Sequence, residues 1–377
     1  MVTNGKKITK SGEELRILIA PLDWGLGHAT RCIPIIYALI KGGASVWLAG
    51  ENNTEAILKK EFPQLPFLPL KGYNIHYSKH KIFFFTKLFS QVPSIISTLI
   101  YEQKWLQKVV RKYEIDAVIS DNRFGLYHAT TPTVFITHQL HIETGNAWFN
   151  KIAQKINYGY INRFSQCWVP DAEANNNLAG KLSHPKKMPA IPVKYLGALS
   201  RFKKKEENNL VNDLLVILSG PEPQRSIFEK KILAELTNFK GKVVLVRGLP
   251  SDEILLGSIA SKIQVYNHLA ATELSLQVQQ SAIVLSRAGY TTVMDLAILQ
   301  QKAILIPTPG QAEQEYLADH LKQQRLFYTC NQQDFNLNKA LMEAESFYTA
   351  LPTAPAPFNE SIIFNWLKAL QEAKVLK

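Results

Sequence analysis

Apolar residues along this chain fall into short continuous runs, separated by longer stretches in which they recur at helical spacing. Arg16 to Pro21 (RILIAP) is the first such run, the form of a strand buried on both faces of a parallel sheet. After it, Gly25 and Gly27 mark a turn, His28 opens a helix, and Ile33, Ile36, Tyr37 and Ile40 line one face until Gly42–Gly43. Further runs at Ala44 to Ala49, Leu65 to Leu70, Asp116 to Ser120, Pro132 to Thr137 and Cys167 to Pro170 predict five more strands. Between them, Asn53 to Phe62 predicts a short helix, and His76 to Tyr113 a long one kinked or broken at Pro93. A charged stretch without periodicity, Leu196 to Asn212, interrupts the alternation near the midpoint and predicts a linker. The alternation then resumes. Leu214 to Ser219, Val243 to Arg247, Ile263 to Tyr266, Ile283 to Leu285 and Ala303 to Ile306 predict strands, and Ser226 to Leu236 and Thr291 to Leu299 predict helices. A last helix runs from Asn359 to about Glu372. Strand–helix alternation of this kind is an α/β fold with parallel sheets.

Composition narrows the class. The 377 residues suffice for two cores, and 46% hydrophobic with 20% charged residues is ordinary for a globular protein. Cys32, Cys167 and Cys330 form no CxxC pair, so neither a disulfide framework nor a cysteine metal site is expected, and a reducing, cytoplasmic compartment fits. The first fifteen residues hold lysines but no apolar stretch, so no secretory signal is expected, and no run is long enough for a spanning helix. Charge is unevenly spread. Residues 1–198 carry 24 Lys and Arg against 13 Asp and Glu, whereas residues 199–377 carry 19 against 18. A basic first half suits an anionic membrane surface or an anionic substrate, and no nucleic-acid motif accompanies it. Phe83, Phe84, Phe85, Leu88 and Phe89, flanked by Lys79, Lys81 and Lys87, read either as an interfacial helix or as a core helix with a solvated lysine face.

The stretch richest in chemistry is Ser286 to Tyr316, SRAGYTTVMDLAILQQKAILIPTPGQAEQEY. It reads as strand end, glycine turn, helix, strand, proline loop and helix. Two parallel strands ending side by side, each followed by a helix N-terminus, form the crevice in which open α/β sheets hold phosphate-bearing ligands. Asp295, Gln314 and Glu315 are polar groups suited to sugar hydroxyls, although an ordinary βαβ unit with solvated loops reads the same way. In the first half, Gly25-x-Gly27 after a strand lacks the third glycine of a dinucleotide fingerprint. His28 is a candidate proton acceptor or a histidine bracing its loop, and Asp121, ending a strand, is a candidate orienter for it or a turn cap. His138 and His141 lack a third metal ligand.

Ser286, Arg287, Ala288, Gly289, Thr292, Val293, Asp295, Gln314, Glu315 and Tyr316 together resemble the donor-sugar signature of GT-B glycosyltransferases. Within these they resemble family 28, the bacterial N-acetylglucosaminyltransferases that complete the lipid-linked peptidoglycan precursor. Two positions depart from the pattern: Asp295 stands for a longer glutamate and Glu315 for a second glutamine. Gly27–His28 resembles the glycine–histidine pair of the loop facing the cleft, and His138, Gln139, Gly145, Asn146 and Lys151–Ala153 loosely resemble the acceptor-side loop. The resemblance implies two Rossmann-like domains facing across a cleft: residues 1–198 for the acceptor, 199–358 for the nucleotide-sugar donor, and 359–377 as a helix returning to the first domain. It implies a metal-independent hexosyltransferase without a cofactor. Such an enzyme transfers sugar from a UDP-sugar such as UDP-N-acetylglucosamine to a hydroxyl, with a lipid-linked, cell-envelope acceptor and a peripheral place on the inner membrane face. It assigns catalysis to His28, and the donor to Ser219, Gly220, Arg225, Ser286, Arg287, Gly289, Thr292, Asp295, Gln314 and Glu315. Asp121 resembles the aspartate that related sugar transferases of the glucuronosyl and plant type place within reach of the loop histidine, which implies a catalytic role beside His28. Gly25, Gly27, His138 and Gln139 fall on the acceptor side. An epimerase of the same fold and a non-catalytic nucleotide-sugar-binding subunit are the alternatives the residues leave open.

Overall fold

A computed structural model describes residues 14–23, 25–73, 92–144, 146–174, 176–205, 209–220, 222–249 and 262–376. The first half runs β1 (Arg16–Pro21), α1 (Leu26–Lys41), β2 (Ser45–Gly50), α2 (Asn52–Glu61), β3 (Phe67–Pro69), α3 (Val92–Tyr113), β4 (Ala117–Asp121), β5 (Thr133–Ile136), α4 (Ala147–Ile161), β6 (Gln166–Val169) and β7 (Val193–Tyr195). Its sheet is wholly parallel, in the order β3-β2-β1-β4-β5-β6-β7. The second half runs β8 (Asn212–Ile217), α5 (Gln224–Leu236), β9 (Val243–Val246), β10 (Ile263–Tyr266), α6 (Ala271–Gln279), β11 (Ser281–Arg287), α7 (Tyr290–Ile298), β12 (Ala303–Ile306), α8 (Ala312–Gln323), β13 (Tyr328–Thr329), α9 (Leu337–Phe347) and α10 (Glu360–Val375). Its six strands are again parallel, in the order β10-β9-β8-β11-β12-β13. The near-continuous apolar runs form these strands because helices cover both faces, so alternation is not required.

Each sheet reverses its strand order once, between β1 and β4 in the first and between β8 and β11 in the second. Crossovers leave these switch points to opposite faces, and a crevice opens beyond the strand ends. Pro21 pairs with Asp121 at the last register position of the first switch point, and Ser286 with Ile217 near the end of the second.

α10 ties the halves together. It follows the second sheet but packs on the first domain: Trp366 meets Trp168 of β6 edge-on at 5.2 Å, Lys41 pairs with Glu360 at 2.6 Å, and Lys374 pairs with Asp116 at 3.0 Å. One apolar cluster runs without a break from α1 through Trp168 to α7 and α10.

Several expectations are corrected. The described part of the helix expected over His76–Tyr113 is α3, Val92–Tyr113, so the kink or break expected at Pro93 falls at the edge of the described residues. The Phe83–Phe89 segment with Lys79, Lys81 and Lys87 lies outside the described residues, as do Gly145 and Pro221. The third strand shortens to Phe67–Pro69, and β11 extends through Arg287, so Ser286 and Arg287 are buried strand residues rather than turn residues.

Candidate active site

The first switch point carries a polar network of five side chains, the fifth reaching it from across the cleft. Gly25, at φ +80, makes the turn that starts α1. Gly27 has no room for a side chain, since a Cβ would stand 2.9 Å from Oγ1 of Thr291 in the second half. His28 follows in the first turn of α1, and Nδ1 lies 3.1 Å from Oδ2 of Asp121, the fully buried last residue of β4. One turn along, Arg31 grips the same carboxylate with both Nε (2.8 Å) and Nη2. Its Nη2 also lies 2.9 Å from His28 Nδ1, and its Nη1 lies 3.3 Å from Nδ1 of His138, which follows β5. His138 Nε2 in turn lies 2.6 Å from Oε1 of Glu313 in the first turn of α8, across the cleft.

Charges in this network settle one another. Burial alone would raise the Asp121 carboxyl, but Arg31 and then His28 outweigh it and hold it down at about 2. His28 is lowered, by burial first and by the Arg31 charge second, while Asp121 acts in the opposite sense. Burial would likewise raise Glu313, yet His138 and Arg31 bring it down. The balance favours the neutral ring, the form a proton acceptor needs.

At the second switch point Gly220, at φ +103, follows β8, with Ser219 beside it. Arg287 ends β11 with its guanidinium buried. It donates to the carbonyls of Pro307 (3.4 Å) and Gln224 (3.1 Å) and lies 4.1 Å from the Phe228 ring centre, with no carboxylate partner among the described residues. Among the described residues its Nε has no partner either, and burial lowers the group to about 9. Thr308, beyond β12, also has a buried Oγ1 without a partner among the described residues, 4.0 Å from where a Gly220 Cβ would lie. A buried cation and a buried hydroxyl, both short of partners, thus flank Gly220 and the N-terminus of α7, where a Cβ on Gly289 would meet nothing within 4 Å. Thr292 is half-buried in the first turn of that helix.

The other candidates take different posts. Arg225 is enclosed by Glu222 (2.6 Å) and Glu229 (2.9 Å) and so braces its own loop. Asp295 turns from the cleft to the linker and accepts from Ser200 Oγ at 2.6 Å. Gln314 accepts from the Thr308 amide and Glu315 from the Gly310 amide, holding the β12–α8 loop. Gln139 is half-buried, its carbonyl facing Asn157. Residues that sequence reasoning passed over include Arg31, Glu313, Tyr290 and Thr308. Arg31 was within reach of it, because a residue three along a helix from His28 shares its face. Tyr290 stacks on His138 at 4.2 Å and donates to the Pro170 carbonyl, and Thr291 donates to the Gly27 carbonyl at 3.2 Å, so the N-terminus of α7 closes directly on the first domain.

Residues 230–357 match the model of the glycosyltransferase family 28 C-terminal domain. No curated protein matches the sequence. Among solved structures, a glycotransferase of kitacinnamycin superposes with a TM-score of 0.63 at 11% identity, over 96% of this chain and 95% of that one. A spinosyn rhamnosyltransferase, SpnG, complexed with thymidine diphosphate gives 0.58 at 13%, over 94% and 100%. MurG of Acinetobacter baumannii gives 0.50 at 12%, over 95% and 100%. The architecture is thus the GT-B fold of glycosyltransferases.

Proposed function

Starting from a GT-B glycosyltransferase whose second half carries a family 28 C-terminal domain, we propose that it moves a sugar from a UDP-sugar, such as UDP-N-acetylglucosamine, to a hydroxyl of a lipid-linked acceptor. The observation that carries the donor half of this reading is Arg287. A buried guanidinium without an ion pair is costly, and an anion seated beside it would relieve that cost. A diphosphate between Gly220, Thr308 and the N-terminus of α7 meets the cation, the free hydroxyl and the helix dipole together. Those same groups would stabilise the leaving diphosphate as the anomeric C–O bond breaks. Across the cleft, His28 would take the proton of the attacking acceptor hydroxyl, with Asp121 orienting the ring.

The acceptor half of the reading rests on α4. Trp148, Ile152 and Ile156 stand 64%, 41% and 56% exposed at successive turns of that helix, with Lys151 and Lys155 beside them. α4 begins just after the loop that carries His138, so a membrane held by this face would present a lipid-linked acceptor near the network.

The test is calorimetry of UDP, thymidine diphosphate and their sugars against wild type and Arg287→Met. Methionine fills a similar volume against Phe228, so the unliganded protein should keep its melting temperature. Nucleoside diphosphate affinity should fall at least about tenfold, the scale of a lost charged hydrogen bond. Equal affinity in the two proteins would remove Arg287 from the donor site, and tighter binding of thymidine than of uridine nucleotides would change the assigned base.

A further inference from the structure

We propose that Arg31 is a positioning residue that decides which ring nitrogen of His28 carries the proton, and that in this arrangement it places that proton on Nε2. The inference deepens the reading of His28 as the base. Nδ1 of His28 faces two groups with opposite demands. Asp121 Oδ2 at 3.1 Å can only accept, and Arg31 Nη2 at 2.9 Å can only donate. Nδ1 serves one of them at a time: protonated, it donates to Asp121, and bare, it accepts from Arg31.

Three features favour the second state. The nearer partner is the guanidinium. Asp121 is already occupied, with Oδ2 taking Arg31 Nε at 2.8 Å and Oδ1 taking Nη2, whereas the guanidinium keeps a further N–H to give. A proton on Nδ1 would also point at an N–H of a fixed cation. The third feature is His138, which is held by the same guanidinium through Nδ1 at 3.3 Å and faces a carboxylate through Nε2 at 2.6 Å. Neutral His138 satisfies both contacts in one way only: bare Nδ1 accepts from Arg31, and Nε2–H donates to Glu313. Arg31 thereby imposes the same tautomer on both rings.

The consequence for chemistry is direct. His28 Nε2, which no group engages among the described residues, offers a donor rather than a lone pair while Arg31 reaches Nδ1. Accepting a proton there requires the Nδ1–H tautomer, in which Asp121 replaces Arg31 as the partner of Nδ1. No atoms are gained or lost in that exchange; the proton moves from Nε2 to Nδ1 through solvent. Arg31 is thus a restraint on the base, and Asp121 is the alternative partner through which it is released.

The experiment is nitrogen NMR of the full-length protein labelled at histidine, without substrate, with His28→Gln used to assign the His28 signals. Wild type should show neutral His28 protonated at Nε2. Arg31→Met should move the proton to Nδ1 and raise the His28 titration by about one unit, because a neighbouring cation is lost and Asp121 is unshielded. Arg31→Lys, which keeps a charge against Asp121 but has no fork, should also leave Nδ1 protonated, and it serves if the methionine variant does not fold. Wild-type His28 protonated at Nδ1, or an unchanged tautomer in the folded variants, overturns the proposal. These spectra need no turnover, so near-normal transfer by His28→Ala would sink the base reading while leaving the tautomer result standing.

Discussion

A carboxyl group buried beside a guanidinium is ruled by two opposed costs, and Asp295 shows which is larger. Burial raises its pKa to about 6, although Arg201 and the Ser200 hydroxyl both favour the ionised form. Arg201 is lowered by the same burial, and its Nε has no partner among the described residues, so each charge is desolvated more than it is compensated. Because the folded value lies above the unfolded one of 3.8, the folded chain binds this proton the more tightly. The stabilisation is complete below the unfolded pKa and is lost as pH rises through about 6, by up to about 3 kcal/mol. Asp295→Asn removes that term while keeping an acceptor for Ser200. The stability of wild type relative to this variant, from denaturant unfolding, should therefore fall by about 1–3 kcal/mol between about pH 4.5 and about pH 7.5. A constant difference would show that Arg201 keeps the carboxylate ionised throughout. At this scale the sequence places some strand-end and helix-start residues well, His28 and Asp121 among them, whereas Arg287 belongs to β11 rather than to the turn after it. It does not tell which way a long or buried polar side chain turns. Arg225 and Asp295 occupy the expected elements, but local carboxylates claim the first and the linker claims the second.

Between elements, the N-terminus of α7 abuts the N-terminus of α1. Gly27 is a glycine here because Thr291 fills the space of its side chain, and Thr291 Oγ1 bonds the Gly27 carbonyl. Gly27→Ala should cost about 1–3 kcal/mol, the range for overpacking a tight contact. Thr291→Ala on its own should cost less, since it removes one partly buried hydrogen bond, about 1 kcal/mol. If the Gly27→Ala cost arises at this contact, the double variant should recover most of it, giving a coupling of about 1 kcal/mol or more in a double-mutant cycle of unfolding free energies. Additive costs would place the strain of Gly27→Ala elsewhere. Strands marked by a short apolar run were legible in the sequence: β1, β10 and β12 lie where their runs lie. β7 and β13, of three and two residues, are too short to carry a period, and their pairing is imposed by the neighbouring strand. Nor does any local pattern record that two glycine turns from opposite domains abut, because that contact exists only after both sheets have formed.

For the whole molecule, the membrane docking proposed above would draw on two separable features, the excess positive charge of residues 1–198 and the exposed face of α4. Among the described residues no helix is long and apolar enough to cross a bilayer. Each lysine near an anionic surface is worth about 1 kcal/mol and is screened by salt. A fully buried Trp or Ile side chain is worth about 1.5–3 kcal/mol and is not. Trp148, Ile152 and Ile156 together thus outweigh Lys151 and Lys155. Pelleting with anionic vesicles should weaken as salt rises but persist, and Trp148→Ser/Ile152→Ser/Ile156→Ser should abolish it even at low salt. Neutral vesicles should bind more weakly than anionic ones, because the lysines then contribute nothing. Exposed substitutions on α4 leave the core untouched, so the triple variant should keep the nucleotide affinity of wild type. Its pelleting with anionic vesicles at the wild-type level would show that α4 is not the attachment face and that the basic charge of the first half acts through another surface.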